Sequence, residues 1–413
     1  MDPPPNLSID YLDLLPNEIL IEILLKTDDL DTLSRWCRTS KRVNNICQDE
    51  FFWKRKYRKD FGEMVLAEGE TWKESYKRIS TMDINSPISI GGSSYGIIDQ
   101  KRNLYMVGNM PLLGIAKQVR STTRGSHLVK FPSKFIFKVL SKVLSISVGK
   151  SFVGAVTADG KAYLWGHNVN NMFRLKDNNS AVYFPREIIL QRKAKAIKIE
   201  VSDKGYIILL EDHSVYLRII YGTYEKFFWG FLNMKAIDVS IGTSRLGKSR
   251  YAIITKDRKL YISDEFERLR NLDTLTYIKS PGLVRRVIVN EPMMILSTAG
   301  DVYFLGGMFE ISSEDKPKLI KLPEPIVQIS TNGKTYAALS KTGKLYMWGS
   351  NMYGQISSNL DLYKWVGQTN TGWEPVRVKL GYPINYVSVG GYFTIAVTND
   401  KMLNYWGDPD KRP

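Results

Sequence analysis

The chain has 413 residues, 43% hydrophobic and 24% charged, with a formal net charge of +16. That length allows about two or three domains, and the composition excludes wholesale disorder. With 2 cysteines and 3 histidines, a disulfide scaffold and a Cys/His metal cluster are excluded, and the sequence contains no apolar run of the ~18 residues that cross a membrane.

The opening MDPPPNLSIDYLDLLPNEIL puts no basic stretch ahead of an apolar one, so no secretory leader is expected and the cytoplasm or nucleus is the expected compartment. Charge is unevenly placed. Residues 1–32 carry eight acids and one lysine, and residues 33–60 nine basic residues against three acids. The first 85 residues net −3, which leaves +19 for the remainder. A basic balance alone does not separate nucleic acid, an acidic protein and simple solubility.

Residues 12–60 read as short helices. Pro16 suits a helix start, Glu18 and Glu22 complement the dipole of the first turns, and Ile19, Leu20, Ile23 and Leu24 mark an apolar stripe. Asp28 and Asp29 are candidate caps for a second helix carrying Leu30, Leu33, Trp36 and Cys37. Ser40 is a candidate cap for a third, with Val43, Ile46 and Cys47 on one face. Phe51, Phe52, Trp53 and Tyr57 begin a fourth, and Trp72, Tyr76 and Ile79 mark one more. Cys37 and Cys47 are expected to pack as small hydrophobes. A helical unit this small needs a partner surface to bury its apolar stripe.

The stretch LLPNEILIEILLKTDDLDTLSRWCRTSKRVNNICQDEFFWKRKY resembles an F-box. The Leu15-Pro16-x-Glu18 opening, the Ile/Leu pairs, the Leu30–Leu33 step, the Val43–Ile46 spacing and the closing Trp53-Lys54 carry the resemblance, which spans residues 8–60, with 61–85 as a helical linker. It implies docking on the Skp-type adaptor of a cullin–RING ubiquitin ligase. Leu15, Pro16, Ile19, Leu20, Ile23 and Leu24 would face the adaptor, and Leu30, Leu33, Val43, Ile46 and Trp53 would extend or support that face. Which are contacts and which are core is left open.

From residue 86 to 413 a strand–turn–strand pattern recurs seven times, from SIGGSSYGIIDQKRNLYMVG to VSVGGYFTIAVTNDKMLNYWG. Turns fall at Asp159-Gly160, Asp257-Arg258, Thr342-Gly343 and Asn399-Asp400. Equivalent second-strand positions hold Tyr105, Tyr163, Tyr216, Tyr261, Tyr303, Tyr346 and Asn404. Hairpins at this period predict radial blades, with the Tyr–Trp face packed between them. The repeats resemble the regulator-of-chromosome-condensation type, on Trp165-Gly166, Trp348-Gly349, Trp406-Gly407 and the NMYGQI at 351–356. A WD-repeat propeller is the alternative, but its Gly-His…Trp-Asp pairing does not recur. The expected fold is therefore mainly β: a seven-bladed β-propeller preceded by a small all-α F-box module. The weakly matched third to fifth blades are expected to be trimmed or irregular, and the segment around Ser80–Ile90 to close the ring.

No catalytic constellation is found. His127, His167 and His213 are scattered, and the glycines recur with the repeat, so no enzyme activity, metal or cofactor is expected. The segment 117–142 carries seven Lys/Arg and no acid, interleaved with phenylalanines, and 186–198 adds a second concentration. Lys117, Arg120, Arg124, Lys130, Lys134, Arg186, Arg192 and Lys193 form the candidate basic surface. Three functions follow: a ligase substrate adaptor holding an acidic protein, a chromatin or nucleic-acid binder, and guanine-nucleotide exchange on a small GTPase. No membrane partner is expected.

Overall fold

The computed structural model describes residues 15–27, 30–61, 71–74, 76, 86–92, 94–99, 102–108, 112, 128–130, 137–168, 172–173, 181–221, 226–243, 247, 249–263, 275–306, 316–357, 365–369, 372–398 and 402–407. Two compact units divide the chain, Met1–Asp83 and Ile84–Pro413.

In the first unit, α1 (Asn17–Lys26), α2 (Leu30–Trp36), α3 (Lys41–Gln48) and α4 (Glu50–Phe61) form a small core. The Pro16 carbonyl accepts the first intrahelical bond of α1, from the Leu20 N–H at 3.1 Å. Ser40 caps α3, its hydroxyl accepting from the Val43 N–H at 3.2 Å. The last turn of α1 leaves carbonyls without helical partners. Buried Lys56 and exposed Lys59 both donate to Leu25 O, at 2.9 and 2.6 Å, and place positive charge at that negative helix end. Phe52, Trp53, Tyr57 and Tyr76 fill the centre, with the Trp53 indole donating to Cys47 O at 2.8 Å. Asp28, Asp29 and Ile79 lie outside the described residues.

The cysteine expectation is corrected. Cys37, just past α2, and Cys47, in the last turn of α3, are joined by a disulfide with their Cα atoms 5.7 Å apart. The turn at Arg38–Ser40 folds α3 back so that the two residues face each other.

The second unit is seven antiparallel blades. Blade one is Ile88–Gly91, Ser94–Ile98, Leu104–Val107 and Phe137–Leu140; blade two is Val143–Val148, Phe152–Thr157, Ala162–His167 and Ala181–Glu187. Blade three is Ala196–Ser202, Gly205–Leu210, Val215–Tyr221 and Lys226–Phe231; blade four is Asp238–Thr243, Ser249–Ile254, Leu260–Ser263 and Leu275–Ile278. Blade five is Val284–Ile288, Met293–Ser297, Val302–Leu305 and Lys318–Ile320. Blade six is Ile326–Thr331, Thr335–Ser340 and Leu345–Ser350, with Trp365–Val366 and Val376–Val378 both on its outer side. Blade seven opens with Ile384–Val389, Phe393–Thr398 and Met402–Gly407. The third to fifth blades are thus full four-stranded sheets, not trimmed ones.

Closure also differs from expectation. The first strand of each blade packs on the first strand of the next, and that of blade seven returns to blade one. The outer strand of blade seven is Leu128–Lys130, registered as Met402↔Lys130, Leu403↔Val129 and Asn404↔Leu128. The described part of the expected closing segment forms the innermost strand of blade one instead. The chain therefore leaves blade one after Val107, contributes a strand to blade seven, and comes back with Phe137–Leu140 to finish blade one.

Two repeated devices join the blades. In six hairpin turns one residue takes a left-handed backbone: Arg102, Gly160, His213, Arg258, Gly300 and Gly343. The carbonyl of each accepts the N–H of a residue at or just before the next blade's first strand, at 2.8–3.0 Å, as from Val143 N to Arg102 O and Ile384 N to Gly343 O. The second device is a row of serines in the first strands. Val148 N donates to Ser89 Oγ (2.9 Å), Val201 N to Ser147 Oγ (3.0 Å), Val289 N to Ser240 Oγ (3.1 Å) and Val389 N to Ser330 Oγ (2.9 Å). Each hydroxyl satisfies an N–H of the next blade's innermost strand, an edge with no strand beyond it. The Tyr–Trp faces pack between blades as expected: Trp165 lies with Leu104 and Met106, Trp348 with Phe304, and Trp406 with Ala337 and Met347.

Candidate docking surfaces

Within the first unit, the structure separates the eleven apolar candidates by depth. Leu20, Leu24, Leu33, Val43 and Trp53 are buried in the unit's own core. Ile19 is 47% exposed, Pro16 is exposed, and Leu15, Ile23 and Ile46 are half-buried. The side chain of Leu30 lies outside the described residues. Phe51, at the start of α4 and outside the candidate set, is also largely exposed. Beside this face Arg55 pairs with Glu22 at 3.0 Å, and Arg42 donates to Leu15 O (2.6 Å) and to Asn17 Oδ1 (2.8 Å), which fixes the entry into α1.

The basic candidates fare differently. Lys117, Arg120, Arg124 and Lys134 lie outside the described residues, and Lys130 sits in the closing strand. Part of the segment 117–142 is therefore sheet: Leu128–Lys130 and Phe137–Leu140 supply the outer strands of blades seven and one. Arg186 is exposed on the outer strand of blade two, and Arg192 and Lys193 are exposed in the loop that follows. The Arg192 guanidinium lies 4.0 Å from the centroid of the Phe231 ring on blade three.

Other polar concentrations are accounted for by the fold. Lys198 on the first strand of blade three reaches Asp238 (2.5 Å), Glu200 (2.8 Å) and Val239 O (2.8 Å), and Arg286 approaches Glu200 at 3.8 Å. Glu200 stands in blade three where Ser89 and Ser240 stand in theirs, so this seam is charged where those two use a hydroxyl. Glu324 accepts from Thr342 Oγ1 and from the Tyr346 hydroxyl, both at 2.6 Å, with Lys344 at 3.1 Å. The Thr342 bond first, then that of Tyr346, hold the Glu324 carboxyl down to about 2. Burial, with Glu324 beside it, pushes the Tyr346 phenol up to about 12. Every strong partner of this carboxylate is already on the protein, so the cluster reads as a turn lock.

His213 occupies one of the left-handed turn positions, its Nδ1 3.0 Å from Ala236 O, and His167 is exposed at a strand end. His127 lies outside the described residues. Among the described residues no three His, Cys, Asp or Glu side chains gather as a metal site, and no helix is long and apolar enough to cross a membrane. The NMYGQI segment is structural. Asn351 accepts from the Ile356 and Ser357 N–H groups, and Gln355 donates to Gly391 O of blade seven at 3.2 Å.

The chain is thus a seven-bladed propeller with a separate N-terminal helical module that carries partly exposed apolar side chains. More particularly, the chain carries an F-box-like domain, matched over residues 12–59, and regulator of chromosome condensation (RCC1) repeats, matched over 326–355 and 342–397. It is 29% identical over 136 residues to the human regulator of chromosome condensation, covering 33% of this chain and 31% of that protein. It is 24% identical over 322 residues to the human E3 ubiquitin-protein ligase HERC2, covering 68% of this chain and 6% of the ligase. The match thus spans less than a third of either relative's own length. Human WBSCR16 shares the fold with a TM-score of 0.56 at 15% identity over 79% of this chain and 89% of that one. The structure of Prp20p from Saccharomyces cerevisiae, described with its binding to Gsp1p and histones, gives 0.54 at 14% identity over 78% and 81%.

Proposed function

We propose that this protein is the substrate-recognition subunit of a cullin–RING ubiquitin ligase. The F-box-like unit docks on a Skp-type adaptor, and the propeller holds a target protein near the ubiquitin-charged enzyme. The observation that carries this reading is the F-box-like match over residues 12–59, supported by the exposed side chain of Ile19 on a helix whose Leu20, Leu24 and Leu25 are buried. Leu15, Pro16, Ile19 and Ile23, with Ile46, are the proposed contacts. Leu20, Leu24, Leu30, Leu33, Val43 and Trp53 support them from within or alongside. The domain limits proposed for the module, its linker and the propeller are 8–60, 61–85 and 86–413. The mechanism is tethering: a held target experiences a high effective concentration of the transfer machinery, so this chain needs no catalytic residue.

Affinity capture with the full chain and with its Ile19→Asp variant tests the reading. The full chain retains adaptor and cullin, and the variant loses both while its propeller keeps its melting point. A full chain that retains neither would end the proposal. Chromatin or nucleic-acid binding is the second reading, favoured by the +19 charge of residues 86–413. A mobility shift with generic duplex DNA that weakens steeply with salt would support it.

A further inference from the structure

We propose that the outer mouth of the seam between blades two and three is the target-docking site, and that it takes an acidic peptide segment bearing apolar side chains. The proposal rests on the adaptor reading for its biological sense, but not for its binding chemistry.

The site is built from two blades. Arg186 pairs in register with Leu164, a member of the apolar cluster between blades two and three, so its side chain leaves the strand on that side. After this strand, Ile188 and Leu190 pack on the same cluster, and Ile189 between them turns outward at 79% exposure. The loop then lays Arg192 across the Phe231 ring of blade three. Trp229, two residues earlier on that strand and so on the same face, is 51% exposed, with the buried Arg218 guanidinium 5.8 Å from its ring centroid. Arg186, Ile189, Arg192 and the exposed Lys193 thus lie on one strand end and its loop, and Arg192 joins them to the blade-three face that carries Trp229. Within 186–195 the one acid is Glu187, and it is paired with Lys161 at 3.1 Å.

Charge complementarity selects an acidic occupant, because these cations have no acid among them in this loop to answer them. The apolar half selects peptide over nucleic acid. Arg192 covers the Phe231 face on which a base would stack, and a phosphate backbone would leave Ile189 without a partner. A peptide with carboxylates beside aromatic or aliphatic side chains answers both halves, since Arg forks match carboxylates and Trp gives apolar area.

The test is fluorescence anisotropy with the full chain and three labelled probes: a dodecapeptide of alternating Glu and Tyr, its counterpart with Gln for Glu, and an oligothymidine of equal length. The acidic peptide binds, the Gln peptide at least about tenfold more weakly, and Arg186→Glu with Arg192→Glu lowers its affinity at least about tenfold, an effect of the size expected for lost charge-assisted contacts. Trp229→Ala lowers it as well, and Lys334→Glu on blade six leaves it unchanged. Equal binding of the Gln peptide, an unaffected charge-reversed variant, or preference for the oligothymidine each overturns the proposal. Adaptor binding is measured on the same variants. Retained adaptor binding with no peptide binding sinks this site alone, and lost adaptor binding with intact peptide binding sinks the ligase reading alone.

Discussion

Gln328 is the side chain on which the last seam before ring closure most depends. Its Oε1 accepts from Val387 N at 3.1 Å, its Nε2 donates to Val387 O at 3.1 Å, and the same Nε2 lies 3.5 Å from Ser86 Oγ at the start of blade one. One amide thus pairs with both backbone groups of a fully buried residue on the innermost strand of blade seven, as a strand would. Gln328→Leu keeps the approximate volume and removes both bonds, leaving an N–H and a C=O without partners. At about 1 kcal/mol per lost bond, and about 1 kcal/mol more for each orphaned group, the loss is about 2–4 kcal/mol. For the unit Ile84–Pro413 that is about 3–6 °C in melting temperature, read by near-ultraviolet circular dichroism. Gln328→Glu keeps the acceptor but sets a carboxylate against the Val387 carbonyl. It is expected to melt as low as the Leu variant near neutral pH and to recover as pH falls and the protonated carboxyl regains a donor. A Leu variant melting within about a degree of the parent would refute the claim that this amide joins the blades.

Three further predictions follow from the same geometry. Thiol titration in denaturant finds no free thiol before reduction and two after, and Cys37→Ser lowers the stability of the helical unit by about 2–3 kcal/mol through the freed ten-residue separation; two thiols reacting without reductant would return the pair to simple packing. Gly343 has φ +78°, and a Cβ there would lie 2.7 Å from Pro383 Cβ, so Gly343→Val costs at least about 2 kcal/mol, whereas Arg258→Gly at φ +62° is neutral or stabilising in the same melting assay. Because Glu324 is held below its unfolded value of 4.5 to about 2, its stabilisation is present above pH 4.5 and lost as pH falls toward 2; Glu324→Gln should flatten that part of the pH–melting profile, and an unchanged profile would refute the turn lock.

Much of the propeller is legible in the chain because its repeat is local. Tyr105, Tyr163, Tyr216, Tyr261, Tyr303, Tyr346 and Asn404 stand in equivalent registers, opposite Ile97, Ala155, Ile208, Ile253, Ile295, Ala338 and Ala396. Ring closure is not legible, since three residues inside a basic stretch pair with a strand far along the chain. The serine row is visible as Ser89, Ser147, Ser240 and Ser330, but its meaning needs partners 49–59 residues away. The helical stripe is legible as apolar, yet adjacent Ile19 and Leu20 fall on opposite sides of the surface, which spacing alone does not assign. The disulfide escapes because Cys37 and Cys47 meet only through the turn at Arg38–Ser40.

A calorimetric titration of the full chain with purified Skp-type adaptor tests whether the helical unit is a docking module. One-to-one binding is expected, and Ile19→Asp abolishes it. An exposed isoleucine buried on docking contributes about 1 kcal/mol or more, and a carboxylate in its place costs several more, so the loss exceeds about a hundredfold. No heat of binding with the unmutated chain, or equal affinity of the Asp variant, would contradict it.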